Sequence, residues 1–204
     1  MNDLQSARDD LAFLRNLIGD DGKQMRGFGR GYFAAGLLYG GQMVLSAAQM
    51  LGYLPRDPAT YLAVGFGPTV LFLIVLTWIL IAGRREMEGA GTTTRAVTGL
   101  FGVVGIANLV LAAVVGVVAW RENSATTWLI FPCAVFVLQG AAWYFAYMMR
   151  RKAWHLVVAL GWFASAVAMA LTITEIGWYI LFAGVGLWLC MALPGYVILK
   201  SVRT

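Results

Sequence analysis

The residues able to carry chemistry in this chain are few, and their spacing works against it. His155 is the only histidine, and Cys133 and Cys190 are the only cysteines. A structural or catalytic zinc site takes three or four nitrogen, sulfur or carboxylate ligands, which this inventory cannot supply. Serine hydrolysis needs an imidazole within hydrogen-bond reach of the hydroxyl. Here His155 lies at the edge of an apolar run, while Ser46 and Ser165 lie deep inside two others. No Asp, Glu, Lys or Arg stands deep in any apolar run, although proton-coupled carriers and intramembrane proteases keep ionisable groups there. No glycine loop for phosphate follows a strand, and the 24 glycines are accounted for by close helix packing. The expectation is a chain with no catalytic, cofactor-binding or metal-binding residues, and so not an enzyme.

The polar residues that do occur inside the apolar runs are Gln42, Ser46, Gln49, Thr77, Asn108, Gln139 and Ser165. Two uses are open to them. They can hydrogen-bond between helices, at about 0.6 kcal/mol each in a membrane. Alternatively Gln42, Asn108, Ser165 and Gln139 can line a narrow neutral path for water or a small uncharged solute, with selectivity set by width and hydrogen bonding. Trp162 and Trp188, with Trp143 and Tyr144, could constrict such a path. Trp120, Trp128, Trp154 and Trp178 instead suit the aromatic belts found at membrane interfaces.

The elements that must position these residues are readable from composition. Of 204 residues 60% are hydrophobic and 12% charged, against about 25% charged in soluble domains, and mean hydropathy is +0.74. Six apolar runs, at roughly 31–54, 60–83, 96–120, 127–149, 153–173 and 177–199, each reach the ~20 residues needed to cross ~30 Å of hydrocarbon. Barrel strands alternate over about 10 residues, so runs of this length mean helices. The clearest pair is Ala96–Arg150, in which two apolar runs flank the polar tip Arg121-Glu122-Asn123-Ser124-Ala125-Thr126-Thr127. The predicted class is an all-α membrane protein of six transmembrane helices in three consecutive hairpins, about 31–83, 96–149 and 153–199.

Charge placement predicts orientation. With the N-terminus in the cytoplasm, Arg8, Arg15, Lys23, Arg26, Arg30, Arg84, Arg85, Arg95, Arg150, Arg151, Lys152, Lys200 and Arg203 fall inside, and only Arg56 and Arg121 outside. That asymmetry follows the positive-inside rule and puts both termini in the cytoplasm of a bacterial-type inner membrane. It also explains the basic balance without nucleic acid. No cleavable signal peptide is visible, since the first 26 residues are charged and the first apolar run has full spanning length. Residues 1–26 are expected to form a cytoplasmic amphipathic helix, with Leu4, Ala7, Leu11, Leu14 and Ile18 on one face, and 27–204 the transmembrane domain. The polar face carries Asp3, Asp9 and Asp10 against Arg8 and Arg15. It therefore suits the protein's own cytoplasmic face, a second copy or a cytoplasmic protein partner better than anionic lipid. Cys133 and Cys190 differ in predicted depth by roughly 10 Å at 1.5 Å per residue, beyond disulfide reach.

The runs resemble one another. Trp128–Arg150 aligns on Trp178–Lys200 without a gap, and Tyr61 starts the same frame. Among the odd-numbered runs, Gln42, Asn108 and Ser165 occupy one equivalent depth, with Gly36, Gly102 and Ala159 six residues earlier. These offsets predict a threefold internal repeat and would bring the three polar residues near a common axis. Gly36 and Gly40 have the small-xxx-small spacing that lets another helix approach closely. Gly36, Gly102, Gln42, Asn108, Ser165 and the hairpin tips give the chain an architecture that resembles the acid-resistance membrane proteins built of short transmembrane hairpin repeats. The resemblance covers the whole chain, shares no diagnostic motif, and implies a non-enzymatic role in stress response. The acid-activated urea and amide channels are also bundles of three hairpins, but their termini face the opposite side, so no pore residue is carried over from them. The function expected is that of a membrane-embedded regulatory or scaffold protein, without cofactor. A channel or facilitator for a small neutral solute is the alternative.

Overall fold

The computed structural model describes residues 21–55, 57–83 and 91–201. Residues 1–20, most of the amphipathic helix expected over 1–26, and residues 84–90 lie outside the described residues. The regular structure within them is helical: α1 (Asp21–Met50), α2 (Pro58–Gly83), α3 (Thr92–Glu122), α4 (Ala125–Arg150), α5 (Ala153–Leu171) and α6 (Ile176–Ser201). Five of these, α2 to α6, are long and apolar enough to cross a membrane, and the chain is a multi-pass helical membrane protein. α1 is the longest but one, yet Gln42, Gln49 and the Gly40-Gly41 pair lower its hydropathy. It also starts earlier than its apolar run, so residues 21–26 are its first turns. Gly27, Gly29 and Gly31 do not break it. Gly29 is seated against Ile198 and the Gly195 carbonyl of α6, and such packing offsets the roughly 1 kcal/mol a helical glycine costs.

The turns are closed by local side-chain chemistry. Between α3 and α4, Asn123 takes the left-handed conformation (φ 50°) as the C-cap, and Ser124 accepts from the Thr127 amide at 3.2 Å. The Thr127 hydroxyl donates to Glu122 at 2.8 Å. Between α4 and α5, Arg151 is left-handed (φ 53°) and its amide donates to Tyr147 O at 2.7 Å. α2 begins with Asp57 before Pro58, and the Asp57 carboxylate accepts from the Thr60 amide at 3.1 Å and the Thr60 hydroxyl at 2.6 Å. Both donors hold that exposed carboxyl below the usual carboxylate range. The cap frees proline to occupy the first helical position, where its missing N–H costs nothing.

α6 carries an irregularity with an identifiable cause. Pro194 lacks an amide, and its ring would clash with the carbonyl four residues back, that of Cys190. The chain widens there into a π turn over Trp188–Ala192, and the Leu193 amide donates to Trp188 O, five residues back. This is the local adjustment by which a membrane helix tolerates an internal proline.

Packing is uneven around the bundle. α1 lies along α6, α6 on α5, α5 on α4 and α4 on α3, while α2 packs on α1 alone; α3 touches α1 only at one end, and α2 and α3 share at most a glancing contact. In consequence 39% of the apolar stretch of α6 is buried, but only 6% of α2 and 6% of α3. The core draws on α1, α4, α5 and α6, with Trp143, Trp162, Met169 and Ala159 buried at its centre.

The α1–α6 crossing is made by glycine. A Cβ at Gly36 would overlap the Ala192 backbone, one at Gly40 the Trp188 indole, and one at Gly195 the Phe33 backbone. The close approach expected from the Gly36–Gly40 spacing is therefore present, and its partner is the π turn. The cysteines are free. Cys190 Sγ occupies the space a side chain on Gly161 would need, and Cys133 Sγ lies 3.9 Å from the Tyr179 hydroxyl.

Candidate functional site

The densest arrangement of polar and aromatic groups is a node near one end of the bundle, contributed by α1, α3, α4 and α5. At its centre Trp143, 1% exposed, donates from Nε1 to the Tyr32 hydroxyl at 2.6 Å. Tyr32 donates in turn to Gln139 Oε1 at 3.3 Å. One hydroxyl thus serves two polar groups, the buried Trp143 Nε1 and the half-buried Gln139 Oε1, and a buried group left without a partner costs about 1–3 kcal/mol. Phe28 and Phe101 pack on this pair, with Phe101 edge-on to both Tyr32 and Trp143 at 5.7 and 5.6 Å. Trp154 and His155 complete the stack, their rings 4.0 Å apart and each about 5.5 Å from Trp143. About two helical turns from Trp143 toward the opposite end, Phe136 meets Trp162 edge-on at 4.6 Å.

The end of the node is tied across helices. Arg150, at the last turn of α4, donates to the Thr94 hydroxyl of α3 at 2.5 Å and touches Met25 Sδ of α1 at 3.3 Å. Thr94 is fully buried. A cation in the last turn of a helix also faces the negative end of the helix dipole. Around this tie Arg30, Arg95, Arg151, Lys152 and Lys200 are exposed. The tips joining α1 to α2, α3 to α4 and α5 to α6 instead carry the exposed carboxylates Asp57, Glu122 and Glu175.

The polar residues singled out in the sequence have separate neighbours. Gln42 donates from Nε2 to Gly65 O at 3.0 Å and so fastens α2 to α1. Ser165 donates to Gly161 O of its own helix at 2.8 Å and packs against Gly186 of α6. Asn108 has a buried Oδ1 without a partner. Gln139 belongs to the node. No hydrogen bond among the described residues joins Gln42, Asn108 and Ser165 to one another. Of the residues considered for a constriction, Trp143 belongs to the node, Tyr144 is exposed, Trp162 is interior and Trp188 is half exposed over Gly40, and among the described residues no ring contact joins Trp162 to Trp188.

Tyr32 was not singled out in the sequence, because an aromatic near the start of a helix reads as an interface residue until its partner is known. His155, at the edge of its apolar run, is 2% exposed, and its Nδ1 has no hydrogen-bond partner among the described residues. Among the described residues no group of three metal-ligating side chains forms. Two shallow outer grooves are present, about 350 Å³ along Val70, Leu73, Ile74 and Thr77 and about 550 Å³ at the α3–α4 tip beside Trp128. No family model, no curated protein and no solved structure matches this chain.

Proposed function

We propose that this chain is a non-enzymatic polytopic membrane protein acting as a membrane-embedded scaffold or regulatory subunit. In this reading it belongs to stress response in a bacterial-type inner membrane, with α1 as a sixth span and both termini cytoplasmic. One observation carries the reading: the interior between α1, α4 and α5 is filled by Tyr32, Trp143, Gln139, Phe136 and Trp162, while α2 and α3 turn broad apolar faces outward. Filled interiors suit holding, and uncovered faces suit partners. The basic end around Arg150 supports the cytoplasmic orientation of the termini. Residues 1–20 supply the cytoplasmic docking segment in this reading.

The channel reading retains one supporting observation, the unpartnered Oδ1 of Asn108. Reconstitution separates the two. Vesicles carrying the protein are expected to show flux of water, urea, glycerol and small amides equal to empty vesicles. Flux above that level, abolished by Asn108→Leu, would replace the scaffold with a facilitator. For the scaffold itself, deleting residues 1–20 is expected to remove co-purifying cytoplasmic proteins from the solubilised chain. An unchanged set sinks the role assigned to that segment.

A further inference from the structure

The helices that cover one another inside the chain follow a rule that the α2–α3 boundary breaks. α6 lies on α1, and α4 lies on α5. Under the internal repeat these are equivalent interfaces, an even-numbered helix laid on the small-residue face of an odd-numbered one. Gly36 of α1 is buried there beneath Ala192, and its counterpart Ala159 of α5 is fully buried. The third counterpart, Gly102 of α3, is exposed, and a Cβ there meets nothing within 4 Å. The helix that should lie on it is α2, whose extensive packing among the described residues is on α1.

Both halves of the missing interface are therefore open on the same chain. On α3, Gly99, Gly102, Ile106 and Leu109 form an exposed seam at spacings of three and four residues. On α2, Val70, Leu73, Ile74 and Thr77 form a shallow exposed groove at the same spacings. The two sit at one depth. Gly102 is 20 residues from the end of α3 (122 − 102), and Thr77 is 19 from the start of α2 (77 − 58). Glycines such as Gly99 and Gly102 let a neighbouring helix approach closely in lipid, and the branched side chains of the groove and of Ile106 and Leu109 supply surfaces to interlock.

We infer that two copies of this chain pair in the membrane by laying α2 of each on α3 of the other. The occupant is a second copy because the covering helix and the covered face are both present in this sequence and both uncovered. Two such contacts related by a twofold axis form an isologous interface that closes without leading to a filament. The inference rests on the membrane-embedded, repeat-containing reading above, and it names that protein's first partner.

Cross-linking with the full chain tests it. In a Cys133→Ala, Cys190→Ala background, Thr77→Cys and Gly102→Cys are placed in separately tagged chains and mixed in vesicles. A disulfide-linked pair carrying both tags is expected. With both cysteines in one chain, a link confined within that chain overturns the inference, as does absence of any link in the mixed experiment. Gly102→Leu, which has room for its side chain in a single copy, is expected to lower Förster transfer between differently labelled copies at least tenfold. Unchanged transfer also overturns the inference. If carbonate extraction releases the protein from the membrane, the membrane reading itself fails. If the protein stays inserted but is not linked, only the pairing fails.

Discussion

Gly36 and Gly102, which the repeat expected from the sequence would make equivalent, are put to opposite uses. Gly36 lets the backbones of α1 and α6 meet, so that its missing side chain is an interior requirement. Gly102 faces open space, so the same residue type there imposes nothing on a single copy. The wider regions differ in the same way. The α1–α6 crossing and the ring stack around Trp143 are closed by backbone contact and shared hydrogen bonds. The faces of α2 and α3 carry exposed branched side chains and glycine, with Tyr61, Phe66, Trp78 and Trp120 exposed among them. Lipid tails are as apolar as leucine, so burial alone does not hold membrane helices together. What distinguishes the closed region is fit and hydrogen bonding, and substitutions can test each.

The largest effect is expected at the crossing. Gly36→Leu places a side chain against the Ala192 backbone, where no rotamer change can make room. Its cost exceeds the 1–3 kcal/mol usual for overpacking, and little folded protein should be recovered by size-exclusion chromatography. Gly102→Leu in monomer-holding detergent should shift stability by no more than about 0.5 kcal/mol, as surface substitutions do. Equal damage at the two sites would erase the contrast.

Trp143→Ala comes next. The indole is buried against five rings and satisfies Tyr32, so a loss of about 3–5 kcal/mol is expected, as for large core aromatics. Trp120→Ala, at an exposed belt position, is expected to leave the denaturation midpoint in place. Tyr32→Phe keeps the ring and removes only the hydroxyl. It strands Trp143 Nε1 and Gln139 Oε1, at about 1–3 kcal/mol. Adding Gln139→Leu to Tyr32→Phe should recover part of that loss, because one of the stranded groups is gone.

The contrast also marks what could be read from the chain before its structure. The spans of α2 to α6 were legible because a bilayer imposes a length of apolar residues on any helix that crosses it. The close approach at Gly36 and Gly40 was legible as a spacing, but its partner was not. Trp188 and Ala192 lie about 150 residues away in sequence, and a π turn induced by Pro194 sets the surface they present. The node was hidden for the same reason, since Tyr32 and Trp143 are 111 residues apart and nothing local marks them as partners. The sequence offsets place Gln42, Asn108 and Ser165 at one expected depth, but depth leaves the facing direction open. Gln42 turns to α2 and Ser165 to α6. The cap at Asp57 is harder to read, because Pro58 beside it marks the end of one helix as readily as the start of the next.

That cap yields the smallest and most selective test, because it acts on α2 alone. Asp57 is fully exposed and accepts two bonds from Thr60, so its folded-state carboxyl titrates below the unfolded value. A group depressed on folding contributes stability that is present above its unfolded pKa, about 3.9. That contribution is lost as pH falls through the lower folded value. The first turn of α2 should therefore be insensitive to pH across the neutral range and fray only in acid, with the Thr60 amide resonance moving as the carboxyl protonates. Asp57→Ala should abolish that acid titration and leave the turn frayed at every pH, while the ring stack around Trp143 keeps its resonances. A titration of the Thr60 amide that survives Asp57→Ala would show that another group sets the start of α2. Loss of the Trp143 signals in the same variant would show that α2 is coupled to the core more tightly than its single line of contact with α1 allows.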